Sequence, residues 1–199
     1  MTVGILGGAF DPPHVGHVVL ARAAIERFRL ERLIVLVVAA PAHKPVETPV
    51  ELRLELARAA FADVPEADAV ADDHAYTVEF LRQSDLPEDA VFLVGADELA
   101  DFLTWREPDE ILRLVRLGVA TRPGYPRGQL DDVLARLERP DRVELFTIPA
   151  VTASSTEVRL RAAAGRPIDD LVPPEVARLV VARGLYHGAV DPRGRAKLR

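Results

Sequence analysis

Apolar positions recur along this chain with two different periods, and each change of period marks a new element. Val3 to Leu6 and Leu33 to Val38 are short continuous apolar runs, the second rich in branched residues, as in strands covered on both faces of a parallel sheet. Between them Val18, Leu20, Ala21, Ala24, Ile25 and Phe28 recur at helical spacing and predict a helix from His17 to Phe28. Thr48 and Glu51 have capping-box spacing, Pro49 suits a first helical position, and Leu52, Leu56 and Ala59 give the next helix an apolar face. A weak strand around Ala69 to Ala71 follows, then a short helix that ends about Arg82.

Further strands are expected at Val91 to Val94, Leu117 to Ala120 and Val143 to Phe146. Helical segments run through Leu99 and Phe102 toward Trp105, from Pro108 to near Arg116, and from Leu130 to Leu137. Ser154 and Glu157 repeat the capping-box spacing after a strand, with Gly165 placed as that helix's stop and Gly184 as the stop of a last helix beginning at Pro174. Strands alternating with helices specify an α/β fold, a doubly wound, Rossmann-like parallel sheet with helices on both faces. A single domain over residues 1–187 is expected, with a flexible tail at 188–199. Ligands of such sheets lie beyond the carboxyl ends of the strands, so the loops after Leu6, Val38, Val94, Ala120 and Phe146 should converge on one cleft.

Composition narrows the function. The longest nearly unbroken apolar run, Leu33 to Ala42, is about half of what a membrane helix needs, and no basic and apolar leader precedes the first strand. A cytoplasmic chain without a membrane span is the expectation. The absence of cysteine excludes disulfides and thiolate zinc sites. A net charge of −6 opposes a broad basic face for nucleic acid, so no nucleic-acid partner is expected. Small anions still bind where cations gather at one cleft.

The stretch Gly7-Gly8-Ala9-Phe10-Asp11-Pro12-Pro13-His14-Val15-Gly16-His17 has the form of such a cleft's floor. A strand that ends in paired glycines and opens into a helix lets backbone approach an anion and points unpaired N–H groups at it. His14 and His17 flank the helix start, where both can donate to the same phosphate. Lys44 stands at the tip of the proline-bounded loop Ala39 to Pro45. Taken singly, each residue has a plainer account. His14 and His17 can cap a helix or, with Asp11, ligate zinc; Lys44 can be a solvated loop lysine, and Trp105 a core residue. Ser155 and Thr156 can be ordinary helix-start residues and Arg159 a surface arginine.

The glycines match neither the G-x-G-x-x-G dinucleotide turn nor the G-x-x-x-x-G-K-[ST] phosphate loop. His14-Val15-Gly16-His17 does match the H-x-G-H motif of the nucleotidyltransferase superfamily, and Ser154-Ser155-Thr156-Glu157-Val158-Arg159 its Ser-Ser-Thr-x-x-Arg motif. With Pro41-Ala42-His43-Lys44, Tyr76-Thr77, Gly95-Ala96-Asp97-Glu98-Leu99, Phe102, Trp105 and Arg122-Pro123-Gly124, the chain resembles the bacterial nicotinate-nucleotide adenylyltransferases to about His187. It departs from them at Ala9, where a hydroxyl residue is common, and at Ala42, where proline is common.

The resemblance implies transfer of the adenylyl group of ATP to nicotinate mononucleotide, with release of pyrophosphate and with magnesium bound mainly through the ATP phosphates rather than by protein ligands. It implies that His14, His17, Lys44 and Arg159 are catalytic. ATP would be bound by Gly7, Gly8, Ala9, Phe10, His14, Gly16, His17, Gly95, Asp97, Arg122, Ser155, Thr156 and Arg159, and the nicotinate nucleotide by Lys44, Thr77 and Trp105. The acceptor phosphate is already ionised at neutral pH, its second pKa being about 6, so no general base is required. Two other readings stay open: a pantetheine-phosphate adenylyltransferase, which shares a related first loop, and a non-catalytic adenine-nucleotide sensor. A homo-oligomer stays open as well.

Overall fold

The computed structural model describes residues 1–41 and 46–187. Each apolar run becomes a strand, lengthened where the ladder continues into residues with no apolar signal: β1 Val3–Gly8, β2 Arg32–Val38, β3 Ala67–Asp72, β4 Val91–Gly95, β5 Arg116–Thr121 and β6 Val143–Thr147. All pair in parallel, in the order β3-β2-β1-β4-β5-β6. The chain lays β2 and β3 on one side of β1, then returns to place β4, β5 and β6 on the other. Loops leaving β1 and β4 therefore diverge, and the crevice between them is where an open parallel sheet receives its ligand.

Eight helices stand among the described residues: α1 Val15–Phe28, α2 Val50–Ala60, α3 Thr77–Gln83, α4 Ala96–Ala100, α5 Pro108–Leu114, α6 Arg127–Leu134, α7 Ser155–Ala163 and α8 Pro174–Ala182. Alternation along β1 divides them between the faces of the sheet. Leu6 enters one apolar layer with Ala21 and Ala24 of α1, Leu56 of α2, Val158 of α7 and Val176 of α8. Ile5 enters the other, with Val78 of α3, Leu99 of α4, Ile111 of α5 and Leu130 of α6. Helices thus cover both faces, as the alternating pattern predicts. No described helix is long and apolar enough to cross a membrane.

Several boundaries differ from expectation, each for a local reason. The first helix begins at Val15 rather than His17, because His14 is its N-cap. Thr48 does not cap α2: Pro49 is the N-cap without a side-chain bond, and the Thr48 carbonyl instead accepts from Arg53 Nε at 2.9 Å. The buried face of α2 is Arg53, Leu56, Ala57 and Ala60, turned from the expected Leu52, Leu56 and Ala59 because the guanidinium finds carbonyl partners inside. α5 stops at Leu114, since Arg116 already belongs to β5. α6 ends at Leu134, and a turn carries Leu137 into the core without further helix. The helical stretch before Trp105 divides into α4 and a 3-10 turn at Phe102–Thr104. Ser154 caps α7 as expected, accepting from the Glu157 N–H at 3.2 Å, while the Glu157 carboxylate pairs with Arg161 rather than reaching back. Gly165 and Gly184, at φ of 64° and 61°, end the last two helices as their positions predict.

Packing around β5 is tight. A Cβ on Gly118 would stand 2.9 Å from side chains of Leu93, Phe28 and Val91 at once. Gly118→Ala is therefore expected to lower stability by about 1–3 kcal/mol, the usual effect of overpacking. Urea unfolding checks this: a lower midpoint at unchanged slope is expected, and an unchanged midpoint contradicts it.

Candidate active site

The loop after β1 enters α1 through its histidines. The Gly16 N–H donates to His14 Nδ1 at 3.1 Å, and the His14 N–H donates to His17 Nδ1 at 3.1 Å, a capping box built from imidazoles. Capping by the two histidines does not preclude anion binding by them. A neutral imidazole that accepts at Nδ1 carries its proton at Nε2, so capping leaves each ring a donor on the edge away from the backbone. The ring centroids lie 3.8 Å apart. Burial first, and then the positive charge of Arg122, lower the His14 pKa to about 4, so this ring donates as a neutral group. Gly16 is required by the same contact, since a Cβ there would stand 2.9 Å from the His14 ring.

The second motif reaches the first directly. Ser155 Oγ donates to the Pro12 carbonyl at 2.8 Å, and an Arg159 Nη donates to the Asp11 carbonyl at 2.5 Å, joining residues more than 140 positions apart. A second Arg159 nitrogen is 3.4 Å from Thr156 Oγ1. The N-termini of α1 and α7 consequently open on one cleft. The side chains proposed as zinc ligands have other partners: both histidine Nδ1 atoms accept backbone N–H groups, and the Asp11 carboxylate accepts from Tyr186 O–H at 2.7 Å.

That cleft has a volume of about 1020 Å³ and follows the carboxyl edge of the sheet. Gly7, Gly8, Ala9, His14, Gly16 and His17 line it, as do Gly95, Asp97 and Arg122 from the β4 and β5 ends, Ser155, Thr156 and Arg159 from α7, and Thr77 and Trp105. Phe10 differs from the rest. The whole residue is 2% exposed, its ring packs against His17 and Phe61, and it does not line the cleft. Lys44 and Ala42 lie outside the described residues. The Trp105 ring stands edge-on to Phe92 and tilts against Phe102, and the residue lines the cleft.

Four residues at or beneath the cleft escaped the sequence reading. Arg53 is buried under the ends of β1 and β2. Its signal was its place in the α2 stripe with Leu56, Ala57 and Ala60. Tyr186 reaches Asp11 from beyond α8, and no local pattern points to that contact. His74 donates its backbone N–H and joins its Nδ1 to the buried Asp72 carboxylate at 3.1 and 2.6 Å. The ring's bond to Asp72, and one to Gln83, raise the His74 pKa above the ordinary histidine value. Arg106 lies over the Tyr76 ring at 4.6 Å and pairs with Glu79 at 3.3 Å, adding a cation beside Trp105.

The low His14 pKa has a measurable sign. Between pH 6.5 and about 4 the unfolded chain takes up a proton that the folded chain refuses, so stability present above pH 6.5 is lost as pH falls through that window. His14→Asn should flatten the stability slope there. In histidine NMR spectra the His14 ring is expected to titrate near 4. A midpoint at the free-histidine value, about 6.5, contradicts the assignment.

Comparison with known proteins places this geometry. The Cytidylyltransferase-like family matches residues 5–161. A probable nicotinate-nucleotide adenylyltransferase of Rubrobacter xylanophilus is 38% identical over 197 residues, covering 94% of this chain and 92% of its own. One from Thermus thermophilus is 35% identical over 194 residues, covering 94% and 100%. Among solved structures, Plasmodium falciparum nicotinic acid mononucleotide adenylyltransferase complexed with APC shares the fold at a TM-score of 0.73 and 16% identity, over 93% of this chain and 96% of that one. The chain belongs to the nicotinate-nucleotide adenylyltransferases of the cytidylyltransferase-like family.

Proposed function

We propose that this chain transfers the adenylyl group of ATP to nicotinate mononucleotide, giving nicotinate adenine dinucleotide and pyrophosphate. The observation that carries this reading is the joining of the histidine-capped α1 to the serine-capped α7 across one cleft. An acceptor phosphate oxygen attacks the α-phosphorus of ATP. The bond from that phosphorus to the oxygen bridging the β-phosphate breaks, and pyrophosphate leaves with the electron pair. The acceptor oxygen carries no proton at neutral pH, so catalysis consists of alignment and stabilisation of charge.

His14 and His17 donate through Nε2–H to the phosphate chain, and the α1 and α7 N-termini and Arg159 bring positive charge to it. Gly95, Asp97 and Arg122 serve the adenosine side. Magnesium arrives as part of the ATP substrate. The ion would be held by phosphate oxygens and water. Lys44, Thr77 and Trp105 serve the acceptor, with Trp105 offering its face to the cationic pyridine ring.

His14→Asn keeps an N-cap but withdraws the Nε2 donor. It is expected to lower kcat by about 10²–10³-fold, the usual effect of losing one such donor. A kcat within a few-fold of wild type, with ATP saturating, contradicts the role. Trp105→Ala should raise KM for nicotinate mononucleotide well above any change in KM for ATP, and equal changes contradict the stacking assignment. Pyrophosphate release with magnesium and ATP is expected with nicotinate mononucleotide and not with phosphopantetheine. Release with phosphopantetheine alone identifies the pantetheine enzyme, and release with neither acceptor identifies a nucleotide sensor.

A further inference from the structure

Arg53 is 1% exposed, and with Asp72 it is one of the two charged side chains fully buried among the described residues. Asp72 is explained by His74. Arg53 has no carboxylate within ion-pair distance among the described residues, and its donors go to backbone carbonyls. Nε meets the Thr48 carbonyl at 2.9 Å, one Nη meets those of Ala9 at 2.8 Å and Val38 at 2.7 Å, and the other Nη meets that of Ala39 at 2.7 Å. A leucine or methionine would continue the apolar stripe of α2 without the cost of burying a charge. Either would also leave the four carbonyls without this donor, so what the arginine adds is a set of fixed backbone partners.

What the fork accomplishes is to fix three pieces of chain relative to one another. Ala9 belongs to the loop after β1, Val38 and Ala39 to the end of β2, and Thr48 to the entry of α2. Both ends of the connection that carries Lys44 are thus tied to the same planar group as the glycine loop. The Ala9–Phe10 peptide is trans, so its carbonyl and N–H point in opposite directions. With the carbonyl drawn down onto Arg53, the Phe10 N–H faces away from it. Phe10 has φ of 49°, the residue is buried, and its N–H donates to no backbone group among the described residues. Its neighbours Ala9 and Asp11 both line the cleft.

We infer that Arg53 is a positioning residue for adenylyl transfer: its guanidinium fork turns the Phe10 N–H toward the ATP phosphates and sets the glycine loop at a fixed separation from the end of β2 and the entry of α2. The inference rests on the adenylyltransferase reading and adds to it a determinant of the geometry of in-line attack. Arg53 touches neither substrate and acts through the peptides that it holds. A lysine keeps the charge without the planar fork, and a methionine keeps much of the volume without the charge.

The test compares Arg53→Lys and Arg53→Met with wild type by steady-state kinetics, thermal unfolding, and the ¹⁵N–¹H signal of the Phe10 amide during titration with a non-hydrolysable ATP analogue. In wild type the Phe10 amide is expected to shift on titration. In both variants the shift should be lost and kcat should fall about 10²-fold, the scale of a misplacement near 1 Å, with a smaller change in either KM. An unmoved Phe10 amide in wild type overturns the inference, and so does full kcat in a folded Arg53→Met or in Arg53→Lys. If neither variant folds, the wild-type titration alone decides. A wild-type chain that releases no pyrophosphate refutes the functional reading instead, and the amide titration, which needs only nucleotide binding, still tests Arg53.

Discussion

Two hydrogen bonds hold the site together: Ser155 Oγ to the Pro12 carbonyl and Arg159 to the Asp11 carbonyl. A glycine-led loop after a strand is one half of an anion site, and a serine-capped helix start is another. Neither encloses a triphosphate alone. The bonds from α7 fix the loop from above, Arg53 fixes it from below through Ala9, and Tyr186 fixes it from the side through the Asp11 carboxylate. Hydrogen bonds to charged groups are the stronger ones, about 1.5–3 kcal/mol each, and here they hold a segment with little regular structure of its own. Preorganisation of this kind matters most where the protein performs no covalent chemistry and contributes alignment alone.

The same contacts bear on how an acidic chain would receive anions. Its net charge is −6, and the cleft wall carries Asp11, Glu47, Asp72, Asp97, Glu98 and Asp101 beside Arg106, Arg122 and Arg159, so positive potential is local to the helix starts rather than spread over the cleft. His14 contributes without being a cation. Burial and Arg122 keep it neutral, and its bond from Gly16 directs the remaining proton outward. Two imidazoles 3.8 Å apart would repel if both were charged, so the neutral state is what allows them to stack at one helix start.

Much of this was legible in the residues. Apolar runs became five of the six strands, the weak signal around Ala69 became the sixth, and the strand–helix alternation led directly to the doubly wound sheet, because period and burial are local properties. Ser154 behaved as its capping spacing predicts. Thr48 did not, because Arg53 takes its carbonyl from inside the core, a long-range competitor that no capping pattern contains. For the same reason Phe10, read as a ligand residue, turned out to place its ring in the core, and Tyr186 entered the loop's support from the far end of the chain. Short-range spacing announces elements and caps, while a buried polar side chain that gathers carbonyls from several strands becomes visible only once those strands are adjacent.

The central claim is that both helix starts meet one triphosphate. A crystal structure of the chain with a non-hydrolysable ATP analogue tests it most directly. The account predicts Nε2 of His14 and of His17 within hydrogen-bond distance of the phosphate chain, and the same chain in contact with Thr156 or Arg159. A triphosphate bound to only one of the two helix starts, with the other more than a hydrogen bond away, contradicts it.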